Sequence, residues 1–78
     1  MNAIVKTRQR THGDFQQTAR VTQALKLALH SGPGWIGMSS TQKEALEMMA
    51  AKQARIVCGD PSEADHWLDI AGYASLGK

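Results

Sequence analysis

Hydrophobic residues recur at helical spacing in three segments of this chain, and no segment alternates in the way that a strand does. The segments predict helices at about residues 13–30, 41–58 and 63–75, separated by the breakers SGPG (31–34) and GDP (59–61). The middle segment is apolar almost all round, which is typical of a helix with neighbours on more than one side. The predicted fold class is therefore all-α, a three-helix bundle or hairpin domain.

The apolar positions also predict which side of each helix faces the core. In the middle helix the predicted stripe contains Leu46, Met49, Ala50, Gln53, Ile56 and Val57, with Ala45, Met48 and Ala54 beside it. In the last helix the predicted core face contains Ala64, Trp67, Leu68, Ala71 and Ala74. We expect Cys58 to be a small core residue and His66 to lie at the surface.

The helix ends carry recognisable signals. Capping boxes are predicted for the three helix starts by the pairs Thr11–Asp14, Thr41–Glu44 and Ser62–Asp65. Gly13 is unusual in a first turn, so either the helix begins nearer Asp14 or another group approaches the backbone closely there. Gly59 is expected to be the C-cap of the middle helix.

Size and cysteine content limit the architecture. The 78 residues suit one small domain, placed at residues 11–78 after an arm of residues 1–10. Cys58 is the one cysteine, so no disulfide framework can reinforce a marginal core, and a homo-oligomer is expected. The chain has no 18-residue apolar run and no signal-peptide pattern, which predicts a cytoplasmic protein with no membrane partner.

Charge is distributed unevenly along the chain, although the net charge is only +2. Residues 1–30 carry five Lys and Arg residues and one acidic residue, a net of +4, whereas residues 31–78 carry four basic and six acidic residues, a net of −2. The arm at residues 1–10 is therefore suited to nucleic acid, phosphate or an acidic partner, or is simply solvated. Its Arg8 and Arg10, together with Trp35, are the candidate partner-binding residues. Trp35 is either a lid on the core or a surface anchor.

Carboxylates and cations concentrate in the second and third predicted helices. Four carboxylates are candidate metal ligands: Glu44, Glu47, Asp65 and Asp69. Hard oxygen ligands of this kind suit Mg²⁺, and Lys52 and Arg55 would then bind phosphate oxygens. The same residues equally describe ion pairs between packed helices, such as Asp69 with Arg55 or Glu47 with Lys52.

Three segments of the chain carry a resemblance to a known family. RTHGDF (10–15), QKEALEMMAAKQARIVCGDP (42–61) and DHWLDIAGYASL (65–76) resemble small proteins of tailed bacteriophages and prophages. That family is in turn distantly similar to the MazG-type all-α nucleoside triphosphate pyrophosphohydrolases, which hold Mg²⁺ between an ExxE pair and an ExxD pair and work as oligomers. The resemblance places the first pair on Glu44 and Glu47. The second pair would end at Asp69, but its first position is His66, with Asp65 one residue earlier.

The resemblance and the residues together leave three functions open. The first is a phage accessory protein that binds a host protein or a nucleotide, of the host-takeover or anti-defence type. The second is a MazG-like, Mg²⁺-dependent pyrophosphohydrolase, with His12 and Asp14 of the RTHGDF segment as further candidate phosphate or ligand-binding residues. The third is nucleic-acid binding through residues 1–10. The departure at His66 favours a binding protein over an enzyme.

Overall fold

The computed structural model describes residues 13–78, and these residues are built from helices alone. They form α1 (Phe15–His30), a short 3-10 helix (Trp35–Gly37), α2 (Ser40–Cys58) and α3 (Ala64–Gly77). The all-α prediction is confirmed, and the observed helix ends lie within two residues of the predicted ones. No described helix has the length and hydrophobicity needed to cross a membrane. The predictions for the arm and for Arg8, Arg10, Thr11 and His12 lie outside the described residues.

The middle helix is the central one. α2 packs along α1 on one side and along α3 on the other, as its nearly all-round apolar pattern predicts. Both neighbours run antiparallel to it, since Gly13 before α1 lies against Cys58 at the end of α2, and Gln42 Nε2 at the start of α2 donates to the Gly77 carbonyl at 3.3 Å. α1 and α3 are therefore parallel to each other.

The core is small and is centred on α2. Its buried hydrophobic side chains are Ala45, Ala50, Ala54 and Ile56. Because three of these four are alanines, the flanking helices can approach α2 closely; a Cβ at Gly77 of α3 would lie 3.4 Å from Ala45 Cβ. The prediction that Gln53 and Val57 belong to the core stripe is wrong, since both residues are exposed, the Val57 side chain by 71%. Cys58 is half-buried, with a free thiol.

α3 turns a different side to the core from the predicted one. The residues with reduced exposure are His66, Ile70, Tyr73 and Gly77, spaced four, three and four apart along one helix face. The predicted core residues Ala64, Trp67, Leu68, Ala71 and Ala74 are all exposed. His66, expected at the surface, is only 2% exposed, and Trp67 donates its indole N–H to the Pro61 carbonyl at 2.8 Å. Helical spacing identifies the period but not which of two adjacent faces packs, because both share that period.

Two of the predicted helix caps are replaced by neighbouring residues. α2 begins with a capping box between Ser39 and Gln42, not Thr41 and Glu44. α3 is capped by Glu63, whose carboxylate accepts from the Asp65 backbone N–H, while the Ser62 N–H donates to Asp60 Oδ1 at 2.9 Å. A cap must have extended backbone just outside the helix, and Ser39 (φ −70°, ψ 161°) has it, whereas Thr41 already lies inside α2.

Both explanations offered for the unusual position of Gly13 are correct: the helix begins later, and another group lies close to the Gly13 backbone. α1 begins just after Asp14, whose carboxylate accepts from the Gln17 N–H, so the later start is correct. Gly13 has a φ of +83°, and a Cβ there would lie 2.3 Å from the Cys58 carbonyl oxygen. The close approach therefore comes from the end of α2, and Gly59 caps that end by donating its N–H to the Arg55 carbonyl.

Candidate binding surface at the α1–α2 loop

The loop between α1 and α2 carries the aromatic residue singled out as a partner contact. Trp35 is half-buried, and its ring lies 4.6 Å from the ring of His30, the last residue of α1, at an angle of 41°. Lys43 in the first turn of α2 places its Nζ 5.9 Å from the centre of the Trp35 ring, within cation–π range. Trp35 is therefore held between two helix ends, as a lid would be, and still presents part of its ring.

Backbone hydrogen bonds hold this loop in a compact turn. The Trp35 N–H donates to the Gly32 carbonyl, and the Met38 N–H donates to the Trp35 carbonyl, each at 3.1 Å. The Gly32 N–H is itself held by the Leu29 carbonyl of α1. A surface group carried by this turn therefore has a defined position, which reduces the entropy lost when a partner binds it.

Ile36 is the most exposed large hydrophobic residue of the described chain, at 88%. It sits beside Trp35 in the 3-10 helix and is flanked by Gly34 and Gly37. A Cβ at either glycine would meet nothing within 4 Å, and neither has a positive φ. Nothing in the described part of the fold requires glycine there, and the absence of side chains leaves Ile36 protruding. We call His30, Trp35, Ile36 and Lys43 the loop surface.

A carboxylate next to the loop surface is shared by α1 and α2. Glu47 Oε2 lies 3.8 Å from Lys26 Nζ and 3.6 Å from His30 Nε2, and the Glu47 side chain is 24% exposed. The contact between Glu47 and His30 links the end of α1 to α2, and it therefore supports the position of His30 beside Trp35. Lys26 is thus partnered by Glu47, whereas Lys43, over the Trp35 ring, forms no ion pair among residues 13–78.

The four carboxylates proposed as metal ligands face different neighbours in the single chain. Asp69 on α3 pairs with Lys52 on α2 at 3.0 Å, and the Lys52 side chain is only 13% exposed. Glu47 faces α1, on the other side of α2. Glu44 is exposed beside a shallow hollow of about 370 Å³ that also touches Leu76, and Asp65 is exposed in the first turn of α3. Two of the four carboxylates, Glu47 and Asp69, thus act as ion-pair partners between helices, and Glu44 and Asp65 are exposed.

Within residues 13–78 no three His, Cys, Asp or Glu side chains are grouped so that they could hold a metal ion. The magnesium site therefore stays a prediction. Of the proposed phosphate-binding cations, Lys52 is engaged by Asp69, and Arg55 forms no ion pair in the described part of the chain. The expected pairs Asp69–Arg55 and Glu47–Lys52 are replaced by Asp69–Lys52 and Glu47–Lys26. Asp14 uses its carboxylate to cap α1.

Sequence reasoning selected Trp35 but missed the residue beside it. Ile36 follows Trp35 in the segment Gly34–Gly37, and the two glycines around this Trp-Ile pair are a usable sequence signal of protrusion. His30 and Lys43 were not singled out, because their contact with Trp35 joins residues from two helices. The buried position of His66 had no comparable sequence signal, since histidine occurs both in cores and at surfaces.

Comparison with known proteins gives one match. A family model described as a domain of unknown function (DUF6378) matches residues 1–78. No significant match was found to a curated protein or to a solved structure.

Proposed function

The chain belongs to the family described as a domain of unknown function (DUF6378), and we propose that it acts by binding a protein partner through the loop surface. The observation that carries this proposal is Ile36, an aliphatic side chain that is 88% exposed on a hydrogen-bonded turn. Protein interfaces commonly depend on a few apolar anchors of this kind that fill a pocket of the partner. Trp35, the preceding residue, is half-buried and adds aromatic area to the same loop.

The charges around the anchor suggest the chemistry of the partner. Lys43 lies over Trp35, and Lys26 and His30 lie around Glu47, so a partner with an apolar pocket and an acidic rim is complementary to this surface. The resemblance to phage and prophage proteins supports a host protein as that partner, and hence an accessory role of the host-takeover or anti-defence type inside a host cell.

The arrangement of the carboxylates supports binding over catalysis. In a pyrophosphohydrolase the four carboxylates would have to face one cleft, whereas Glu47 faces α1 and Asp69 is paired with Lys52. The MazG-like activity and nucleotide binding are therefore weaker proposals, and nucleic-acid binding depends on residues 1–10, outside the described part of the chain.

The proposal is tested by affinity capture from host lysate with the whole chain and with Ile36→Asp. The substitution places a charge on the anchor, and we expect it to reduce capture of a specific host protein by about thirtyfold or more, the size of a hot-spot loss. Circular dichroism should show unchanged helicity, because the side chain makes little contact with its own chain.

Val57→Asp is the matched control, because Val57 is also a β-branched aliphatic residue, 71% exposed, and lies at the far end of α2. It should leave capture unchanged. The proposal is rejected if both variants capture the same protein as well as the unaltered chain does, or if both lose it equally. Release of pyrophosphate from deoxynucleotides with Mg²⁺, abolished by Glu47→Gln, would instead support the enzymatic alternative.

A further inference from the structure

The two outer helices carry opposite charge. α1 contains Arg20 and Lys26 and no acidic residue, whereas α3 contains Asp65 and Asp69 and no lysine or arginine. Lys26 and Asp69 are already partnered by residues of α2. Arg20 and Asp65 are both exposed, and neither forms an ion pair among residues 13–78. One free positive charge therefore remains on the outside of α1 and one free negative charge on the outside of α3.

Each of these charges lies on a helix face that also exposes a leucine. Arg20, Ala24 and Leu27 are spaced four and three residues apart and form the outer face of α1, where Leu27 is 72% exposed. Asp65, Leu68 and Gly72 are spaced three and four apart and form the outer face of α3, where Leu68 is 66% exposed. Both faces point away from α2, because they contain only exposed residues.

Gly72 also lies on the outer face of α3, and the single chain does not explain why this residue is a glycine. Glycine weakens a helix interior relative to alanine, so its presence usually has a packing reason. Within the described chain there is none, since a Cβ at Gly72 would meet nothing within 4 Å and its φ is negative. A glycine at this position would then leave space for a large side chain of a second molecule.

We propose that a second copy of this chain places the outer face of its α1 against the outer face of α3, with the two helices parallel. In this register Arg20 faces Asp65, Ala24 faces Leu68, and Leu27 fills the space above Gly72. The three positions lie at about 0, 6 and 10.5 Å along α1 and at about 0, 4.5 and 10.5 Å along α3, from a rise of ~1.5 Å per residue. Opposite charges therefore face each other at the first position, and a small residue faces a large one at each of the other two.

The contact joins different surfaces of the two copies. Since α1 and α3 are parallel within one chain, each added copy keeps the same orientation and again exposes one free α1 face and one free α3 face. Such heterologous contacts build a closed ring or an open row of copies. The partner in this inference is the chain itself, and the loop surface takes no part in it.

Sedimentation velocity over a range of protein concentrations tests the proposal on the whole chain. The unaltered protein should associate with increasing concentration. Leu27→Glu and Leu68→Glu should each weaken association at least tenfold, while Val57→Glu, at 71% exposure but on neither outer face, should not weaken it. Gly72→Ala should raise the thermal midpoint of the single chain and yet weaken association, which separates a contact role from a folding role.

Charge exchange provides an independent readout of the register. Arg20→Glu alone and Asp65→Arg alone should each associate several-fold more weakly, and an equimolar mixture of the two should recover association, because each copy then meets an opposite charge. The proposal is overturned if the unaltered chain stays monomeric at every concentration. It is also overturned if Leu68→Glu weakens association and Leu27→Glu does not, since that result would assign a symmetric α3–α3 contact.

Discussion

At the scale of single residues, Gly13 shows how one position can join two ends of the molecule. Its φ of +83° turns the chain into α1, and its lack of a side chain leaves room for the Cys58 carbonyl at the end of α2. An L-residue with a side chain is disfavoured by that φ, and the side chain would also overlap the carbonyl. The residue that looked misplaced in a helix start is therefore a contact point between α1 and α2.

Gly13→Ala tests this role. The left-handed backbone alone should cost about 1–2 kcal/mol, and the overlap with Cys58 should bring the loss in the free energy of unfolding to at least about 2 kcal/mol. Urea unfolding followed by circular dichroism measures it. Gly34→Ala is the control, because a Cβ there meets nothing within 4 Å and the φ of Gly34 is −83°; equal midpoints for the two variants would contradict the account.

At the scale of the helices, the cap of α2 shows what a sequence signal can and cannot settle. Ser39, Ser40 and Thr41 are all good N-cap residues, and the spacing from Thr41 to Glu44 matched a capping box. The structure uses Ser39 with Gln42, and Gln42 also donates to the Gly77 carbonyl at the end of α3. The contact with α3 accounts for the earlier start, because it holds Gln42 inside the first turn.

Ser39→Ala should therefore lower the free energy of unfolding by about 1 kcal/mol, the usual cost of losing an N-cap hydroxyl. Thr41→Ala should change it by less than about 0.5 kcal/mol, because Thr41 is exposed and already helical. Thermal and urea unfolding of the two variants under the same conditions make the comparison. If Thr41→Ala lowers the free energy of unfolding more than Ser39→Ala does, the cap is Thr41, as the sequence pattern predicts, and not Ser39.

α3 illustrates a related limit at the same scale. Its helical character follows from its composition, but His66 and Ile70 face the core while Trp67 and Leu68 face outward. A hydrophobicity pattern assigns the larger apolar residues to the core. The α2 surface that receives α3 contains small residues such as Ala45, and Trp67 finds a hydrogen-bond partner in the Pro61 carbonyl at the start of the helix.

At the scale of the whole molecule, a single helix carries most of the core. Among residues 13–78, α2 contributes all four buried hydrophobic residues, and α1 and α3 pack on its two sides. A chain of this size buries a smaller share of its surface than a larger domain does, so aliphatic residues remain exposed on the outer faces and on the loop surface. The proposed partner contacts follow from that arrangement, since within the described part of the chain α1 and α3 each have one side without a neighbouring helix.

Ala54→Leu tests the central position of α2. Ala54 is fully buried, so the added carbons must displace α1 or α3, and we expect a loss of about 1–3 kcal/mol in the free energy of unfolding. Gln53→Leu on the exposed side of the same helix should have little effect. Differential scanning calorimetry at low protein concentration measures both. If Ala54→Leu is tolerated as well as Gln53→Leu, α2 is packed more loosely than the structure describes.

The number, type and approximate ends of the helices, and the central place of α2, follow from the sequence alone, because helical period, breakers and all-round hydrophobicity are properties of neighbouring residues. Three outcomes required the packed molecule: which face of α3 packs, which residue caps α2, and the pairing of Glu47 and Asp69 with Lys26 and Lys52. Those outcomes depend on distances between residues far apart in the chain. The exposure of Ile36 and of the outer faces of α1 and α3 also depends on the tertiary structure, because it is set by how all the helices pack together.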